Sequence, residues 1–283
     1  MHQNDSFGSA LKRGYLRMPV VIRTLITINV AVFMVMAIGG QTVAGIIADL
    51  FKFIPDPFTA ATQPWRFITY MFVHGSGFHL IFNMLWLWWM GRAVEESIGP
   101  RTFSVIYFGA GLGGILLQFA LAAIFGANPV IGASGAVYGI MVAFGFLFPR
   151  TPIMLIFLPP IEARFVVAGI IALDFLLLGS GDNVARLAHL GGAGAGYLLV
   201  NAHYTGYDLS SVIRPFERLW TKPPKKEKKR KKNDKMYSVS DVEIVDESDQ
   251  SELDEILEKI SKEGYDGLTP EEKRKLFELS KRN

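Results

Sequence analysis

The sequence contains no cysteine, which excludes disulfides, thiolate nucleophiles and cysteine metal sites and leaves no redox compartment to read. Charge is missing over a long stretch: from Thr102 to Pro149 there is no Asp, Glu, Lys or Arg. A His-Glu-x-x-His motif is also lacking, and His74 and His79 stand five apart, off one helical face, so no metal is expected. Gly109-x-Gly111-xx-Gly114 matches a dinucleotide fingerprint by its letters, yet it has no preceding strand and sits inside an apolar run, where helix packing is the better reading. No cofactor is expected.

What is present falls into two regions of opposite character. The chain is 50% hydrophobic and 19% charged over its 283 residues, but from Lys222 onward nearly every second or third residue is charged. This split fits a membrane domain followed by a soluble tail. The formal net charge of +3 could point to nucleic acid. The basic residues, however, crowd beside apolar spans, where lipid headgroups and the positive-inside rule account for them, so no nucleic-acid partner is expected.

Hydropathy and punctuation predict six spans. The first runs from Val20 to about Gly39, and Lys12, Arg13, Arg17 and Arg23 before it predict a cytoplasmic amino terminus. An uncleaved anchor is favoured over a signal peptide, because the apolar core is long and no small-x-small site follows. Gln41 to Phe78 carries charges, prolines and glycines and reads as a long, amphipathic, outward-facing loop. His79 to about Gly91 and Phe103 to Phe125 are the second and third spans. Gly126-Ala-Asn-Pro129 breaks the chain before a short fourth span, Ser134 to Phe148. Thr151 to Ile161 reads as an extended cytoplasmic connection. Phe165 to Gly179 and Leu187 to about Tyr204 complete the count, which returns the carboxyl terminus to the cytoplasm.

The expected organisation is a cytoplasmic segment (1–19), a six-helix membrane domain (20–204), a basic then acidic linker (205–250) and a small helical extension (251–283). In the extension Leu253, Ile256, Leu257 and Ile260 recur at helical spacing, and Thr269-Pro270-Glu271-Glu272 is a helix-start signal ahead of Leu276 and Phe277. Such a pair is too small to hold a core alone, which predicts a cytoplasmic docking partner.

Polar residues inside apolar spans are costly and therefore candidates for function. They are His79, Asn83, Ser104, Tyr107, Gln118, Ser134, Tyr138, Asp174, His189 and Asn201. At about 1.5 Å per residue the fourth span covers about 22 Å of a hydrocarbon core about 30 Å thick. Its first residue, Ser134 in Gly132-Ala-Ser134-Gly135, must then lie below the outer surface, reached by a loop that only protein or a water-filled cavity can satisfy. A serine at a helix start is ordinarily an N-cap. His189 changes the reading, because Gly135, Gly139 and Ala143 on one span, and Gly191, Gly192, Ala195 and Gly196 on another, let two helices approach closely. That approach brings a neutral imidazole to the hydroxyl as general base. Tyr138, one turn below Ser134, could buttress the ring and orient it without an aspartate. His79 and Asn83, at i and i+4, share a face and could donate with the Ser134 amide to an oxyanion, or simply glue helices together. Asp174 could mark an ion or proton pathway, but no second buried carboxylate or inverted repeat supports a transporter.

These residues resemble the rhomboid family of intramembrane serine proteases: Trp65-Arg66, His79-xxx-Asn83, Gly132-Ala-Ser134-Gly135 with Tyr138, and Ala188-His189 before a glycine-rich run, over roughly Val20 to Tyr204. The resemblance implies an all-α membrane protein, a six-helix rhomboid-like bundle with a small soluble helical tail. It implies that Ser134 is the nucleophile and His189 the base, that His79, Asn83 and Ser134 form the oxyanion hole, and that Tyr138, Gly132 and Gly135 support the pair. Glu95 matches a position that tethers the cytoplasmic side of the second span. The expected partners are the lipid bilayer and transmembrane protein substrates, in a cell inner membrane crossed several times with both termini cytoplasmic. The alternative is a catalytically silent relative that binds or escorts client transmembrane helices.

Overall fold

The computed structural model describes residues 7–154, 159–180, 183–215, 254–261 and 267–282. The lysine run from Lys222 to Lys232, the acidic linker and Leu253 lie outside the described residues. The chain divides into two compact units, Met1–Lys222 and Pro223–Asn283. Among the described residues helix dominates both, with one two-stranded antiparallel pair in the first.

Helix α1 (Phe7–Leu16) precedes α2 (Val20–Ile38), which starts directly after Pro19, where the fixed φ of proline blocks continuation of the previous turn. Two of the orphan amides at the start of α2, those of Val21 and Ile22, donate to the two carboxylate oxygens of Glu95 at 2.9 and 3.0 Å. Glu95, from 74 positions away, is therefore the N-terminal cap of α2, which gives physical form to the tether that the resemblance implied. At Gly40 (φ 68°) the chain turns into α3 (Gly40–Phe51).

The segment expected as a long loop is instead largely helical. After α3 come α4 (Pro57–Thr62), α5 (Arg66–Thr69) and a 3-10 turn at Tyr70–Phe72. Asp56 caps α4 by accepting from the Thr59 amide at 2.7 Å, with Pro57 at the first helical position. The prolines and glycines prevent a single crossing helix here, and Gly40 and Pro57 also start short ones. Arg66 Nη1 donates to the Lys52 carbonyl at 2.7 Å and Trp65 Nε1 to that of Leu50 at 3.0 Å, tying these pieces together.

The second and third expected spans form one continuous run, α6 (Gly77–Phe125), broken only at Gly99 (φ 79°, ψ 161°). Pro100 then restarts the helix at a position where its missing amide costs nothing. Helix α7 (Ser134–Leu147) follows, then β1 (Pro152–Ile153) paired antiparallel with β2 (Ile161–Glu162), α8 (Ala163–Leu176) and α9 (Asn183–Tyr204). The described ends of the connection expected as extended are thus two short paired strands. By length and composition α2 and α6 can each cross a membrane.

Helices α6, α7 and α9 pack together at the centre. Glycine makes this possible: a Cβ on Gly192 would collide with the Gly135 backbone, one on Gly196 with that of Gly139, and one on Gly139 with the Ala110 side chain. The Gly109, Gly111 and Gly114 positions face Leu199, Met71 and the Ala188 carbonyl, so these glycines serve packing. Helix α8 lies against α7 and α9 rather than along α6, and presents Phe165, Leu173, Phe175 and Leu176 outward.

In the second unit, residues 254–261 and Pro270–Arg282 are helical. The Thr269 amide donates to Glu272 Oε2 at 2.7 Å and the Glu272 amide to Thr269 Oγ1 at 3.3 Å, a reciprocal capping box. Lys259 bridges to Glu272 at 2.9 Å, and Ile256 and Leu268 are buried.

Candidate active site

The segment before α7 is irregular, and its backbone groups are met by protein. Phe53 and Val130 exchange amide hydrogen bonds of 2.9 and 2.8 Å, and the Gly132 amide donates to the Tyr70 carbonyl at 2.9 Å. Gln118 Nε2 reaches the Gly126 carbonyl at 3.0 Å. Tyr70, fully buried, sends its hydroxyl to the Gly111 carbonyl at 2.7 Å. The Ala133 amide approaches His74 Nε2 at 3.5 Å. An apolar interior tolerates irregular backbone only with this kind of satisfaction, and the result is a fixed platform ending at Ser134.

Gly132 sits at φ 110°, and a Cβ there would meet the His79 ring, 2.6 Å from Cε1 and 2.7 Å from Nε2. Only glycine allows both the left-handed turn and that imidazole above it. His79 follows the cap of α6, where Ser76 Oγ accepts from its amide at 3.2 Å. Asn83 stands one turn on and donates Nδ2 to the His79 carbonyl at 2.8 Å, leaving the second Nδ2 proton for another acceptor. His74 and His79, five apart in sequence, lie edge to face with centroids 4.9 Å apart, because His74 precedes α6 and the loop folds it back.

His189 comes from α9. Its ring stacks on Tyr138 of α7 at a centroid distance of 4.1 Å and an interplanar angle of 13°. At Gly135 a Cβ would stand 3.0 Å from the Ala188 carbonyl, so α7 and α9 touch at the level of both Ser134 and His189. The imidazole is not left without an aspartate: its Nδ1 lies 2.8 Å from Asp174 Oδ2 on α8, and both side chains are 17% exposed. This contact corrects the expectation that the ring is oriented by Tyr138 alone. The lone carboxylate in the fifth span was noticed in the sequence. Its partner was not, because residues 15 apart on different helices share no visible period.

Ser134, His189, Tyr138, His79 and Asn83 all line one cavity of about 800 Å³, together with Phe82 and Trp86 of α6 and Ile170 of α8. The Ser134 hydroxyl and the His189 imidazole face this space without a hydrogen bond between them, a looseness that such pairs often show before substrate arrives. Ser104 and Gln118 instead serve the backbone carbonyls of Pro100 and Gly126, and Tyr107 is buried in the core.

Comparison with known proteins gives the same direction. Residues 61–204 match the Rhomboid domain family, and residues 247–282 match a family of unknown function, DUF6576. The chain is 30% identical over 184 residues to "Rhomboid protease GluP" of Bacillus subtilis (strain 168), covering 65% of this chain and 35% of that protein. It is 34% identical over 165 residues to "Rhomboid protease GlpG" of Salmonella paratyphi A (strain ATCC 9150 / SARB42), covering 58% and 55%. A third relative, "RHOMBOID-like protein 12, mitochondrial" of Arabidopsis thaliana, is 32% identical over 142 residues, covering 44% and 42%. The matched stretch thus spans about a third to a half of these relatives' length. Since the family match takes in just over half of the 283 residues, the chain is an all-α membrane protein that belongs to the rhomboid family.

Proposed function

We propose that the protein is an intramembrane serine endopeptidase that cleaves transmembrane segments of other membrane proteins by a Ser134–His189 dyad. The observation that carries this reading is the stacking of His189 on Tyr138 in the cavity that Ser134 lines. In this reading α2, the two halves of α6, α7, α8 and α9 are six spans in a cell inner membrane, with both termini cytoplasmic and the 20–204 region as the membrane domain. Helix α7 has 14 residues, so at about 1.5 Å each it is shorter than a hydrocarbon core of about 30 Å, and Ser134 lies below the outer face. Phe82 and Trp86 on one side and Ile170 on the other flank the cavity, and a substrate helix enters between them.

His189 Nε2 takes the Ser134 proton as Oγ attacks the scissile carbonyl, and the negative charge passes to the carbonyl oxygen. His79, the free Asn83 Nδ2 proton and the Ser134 amide at the helix start stabilise that oxyanion, each donor worth about 3 kcal/mol. The imidazolium returns the proton to the leaving amine, and water then hydrolyses the acyl enzyme by the same base. Ser134→Ala and His189→Ala each abolish cleavage of a model membrane substrate in detergent while leaving thermal unfolding unchanged. Undiminished cleavage by either variant refutes the dyad. Asn83→Ala lowers turnover less than either.

The absence of a direct hydroxyl–imidazole hydrogen bond favours one second reading, a silent escort that holds client helices in the same cavity. Full cleavage by the parent protein, lost in Ser134→Ala, excludes it. The bilayer and transmembrane substrates are the proposed partners, with no nucleic acid, and the helical tail engages a separate cytoplasmic partner.

A further inference from the structure

Asp174 is the one carboxylate of α8, on a helix whose neighbouring Leu173, Phe175 and Leu176 face outward. A carboxylate in that setting is costly unless it acts. It is only 17% exposed and lies 2.8 Å from His189 Nδ1, the ring nitrogen opposite the one a general base presents to a nucleophile. The Tyr138 hydroxyl of α7 also meets this carboxylate, and the Arg186 guanidinium of α9 adds its positive charge from farther away. Stacking on Tyr138 fixes the plane of the imidazole, but a ring held only by its faces can flip and exchange its nitrogens. A hydrogen bond at Nδ1 removes that freedom and selects the tautomer.

We propose that Asp174 is the positioning residue of His189, holding the imidazole with its proton on Nδ1 so that the Nε2 lone pair faces Ser134. The proposal rests on the reading of Ser134 and His189 as nucleophile and base, and extends that dyad to an Asp–His–Ser relay of orientation spread over α8, α9 and α7. No proton passes to Asp174. It accepts the Nδ1 hydrogen bond throughout and stabilises the imidazolium formed when Ser134 gives up its proton.

The nearest alternative is a structural clip joining α8 to α9. The two differ in how substitutions rank. An asparagine fits the same space, but the Tyr138 hydroxyl brings a donor that keeps its oxygen, turning its NH2 toward Nδ1 and favouring the wrong tautomer. A clip ranks Asp174→Asn as milder than Asp174→Ala, whereas orientation ranks it no better.

The experiment uses the full chain in detergent with a transmembrane substrate. Asp174→Asn is expected to lower kcat about 100-fold, short of the ~10⁴-fold loss in a triad oriented by aspartate alone, because Tyr138 still holds the ring plane. KM stays within about twofold, Asp174→Glu recovers part of kcat, and thermal unfolding shifts little. Nitrogen-15 NMR of His189 in the Ser134→Ala protein, one of 5 histidines, places the neutral ring's proton on Nδ1, and Asp174→Asn moves it to Nε2. A kcat for Asp174→Asn within twofold of the parent overturns the proposal while leaving the dyad standing, as does a proton found on Nε2 with Asp174 present. A parent protein that cleaves nothing overturns the dyad, and the NMR measurement still decides the orientation.

Discussion

Glu95 shows how one side chain can anchor a helix. Both its oxygens take amides at the start of α2, and the residue is 3% exposed. Glu95→Ala leaves one buried and one half-buried donor unpaired and is expected to cost about 3 kcal/mol, read as a lower midpoint in detergent unfolding, with Glu95→Gln in between. Tyr138 makes a second residue-scale case. If it acts by stacking on His189, Tyr138→Phe keeps most of the cleavage rate and Tyr138→Leu loses about tenfold or more, since only an aromatic face can replace it. Equal loss in the two variants would assign the role to the hydroxyl instead.

At the scale of elements, close approach of α7 and α9 is what brings Ser134 and His189 to one cavity. Gly192→Ala forces a methyl into the Gly135 backbone and is expected to destabilise by about 1–3 kcal/mol and to reduce cleavage. Gly194, two residues on, has nothing within 4 Å of its Cβ position, and Gly194→Ala is expected to leave both unchanged or to gain a few tenths of a kcal/mol. In the tail, Lys259 first and then the Thr269 amide and hydroxyl hold the Glu272 carboxyl down at about 2, against an ordinary 4.5. The sign follows from that direction. Its contribution to the capping box is intact above about pH 4.5 and is lost as pH falls through about 2, which the Glu272 carboxyl carbon reports in an NMR titration of the full chain.

Much of this element scale was legible in the residues, for a physical reason: hydropathy and small-residue spacing are local patterns. Val20 to Gly39 became α2 within a residue, and the Gly135–Gly139 and Gly192–Gly196 stripes meet face to face. The helices between Gly40 and Phe72 are not legible in this way, because a start signal such as Asp56-Pro57 has the same composition as a helix breaker. His79, Asn83, Ser134, Tyr138 and His189, from α6, α7 and α9, line one cavity, and their pairing into faces was visible in the spacing. The Asp174–His189 contact was not, since it depends on how α8 docks.

Across the whole molecule, the membrane region and the tail have opposite chemistry. The first buries glycine-permitted helix contacts around a cavity, while the described residues of the second include two short helices linked by the Lys259–Glu272 ion pair. A cavity of about 800 Å³ lined by two imidazoles, two side-chain amides and two hydroxyls lies within the first unit. Removal of residues after Lys232 is therefore expected to leave cleavage of a model substrate largely unchanged, and a loss of more than about tenfold would tie the tail to catalysis. Covalent labelling with a fluorophosphonate probe tests the central claim most directly, because only an activated hydroxyl reacts. The account predicts labelling of the parent protein at Ser134, abolished in Ser134→Ala and in His189→Ala. Labelling of His189→Ala at the parent rate, or none of the parent itself, would contradict it.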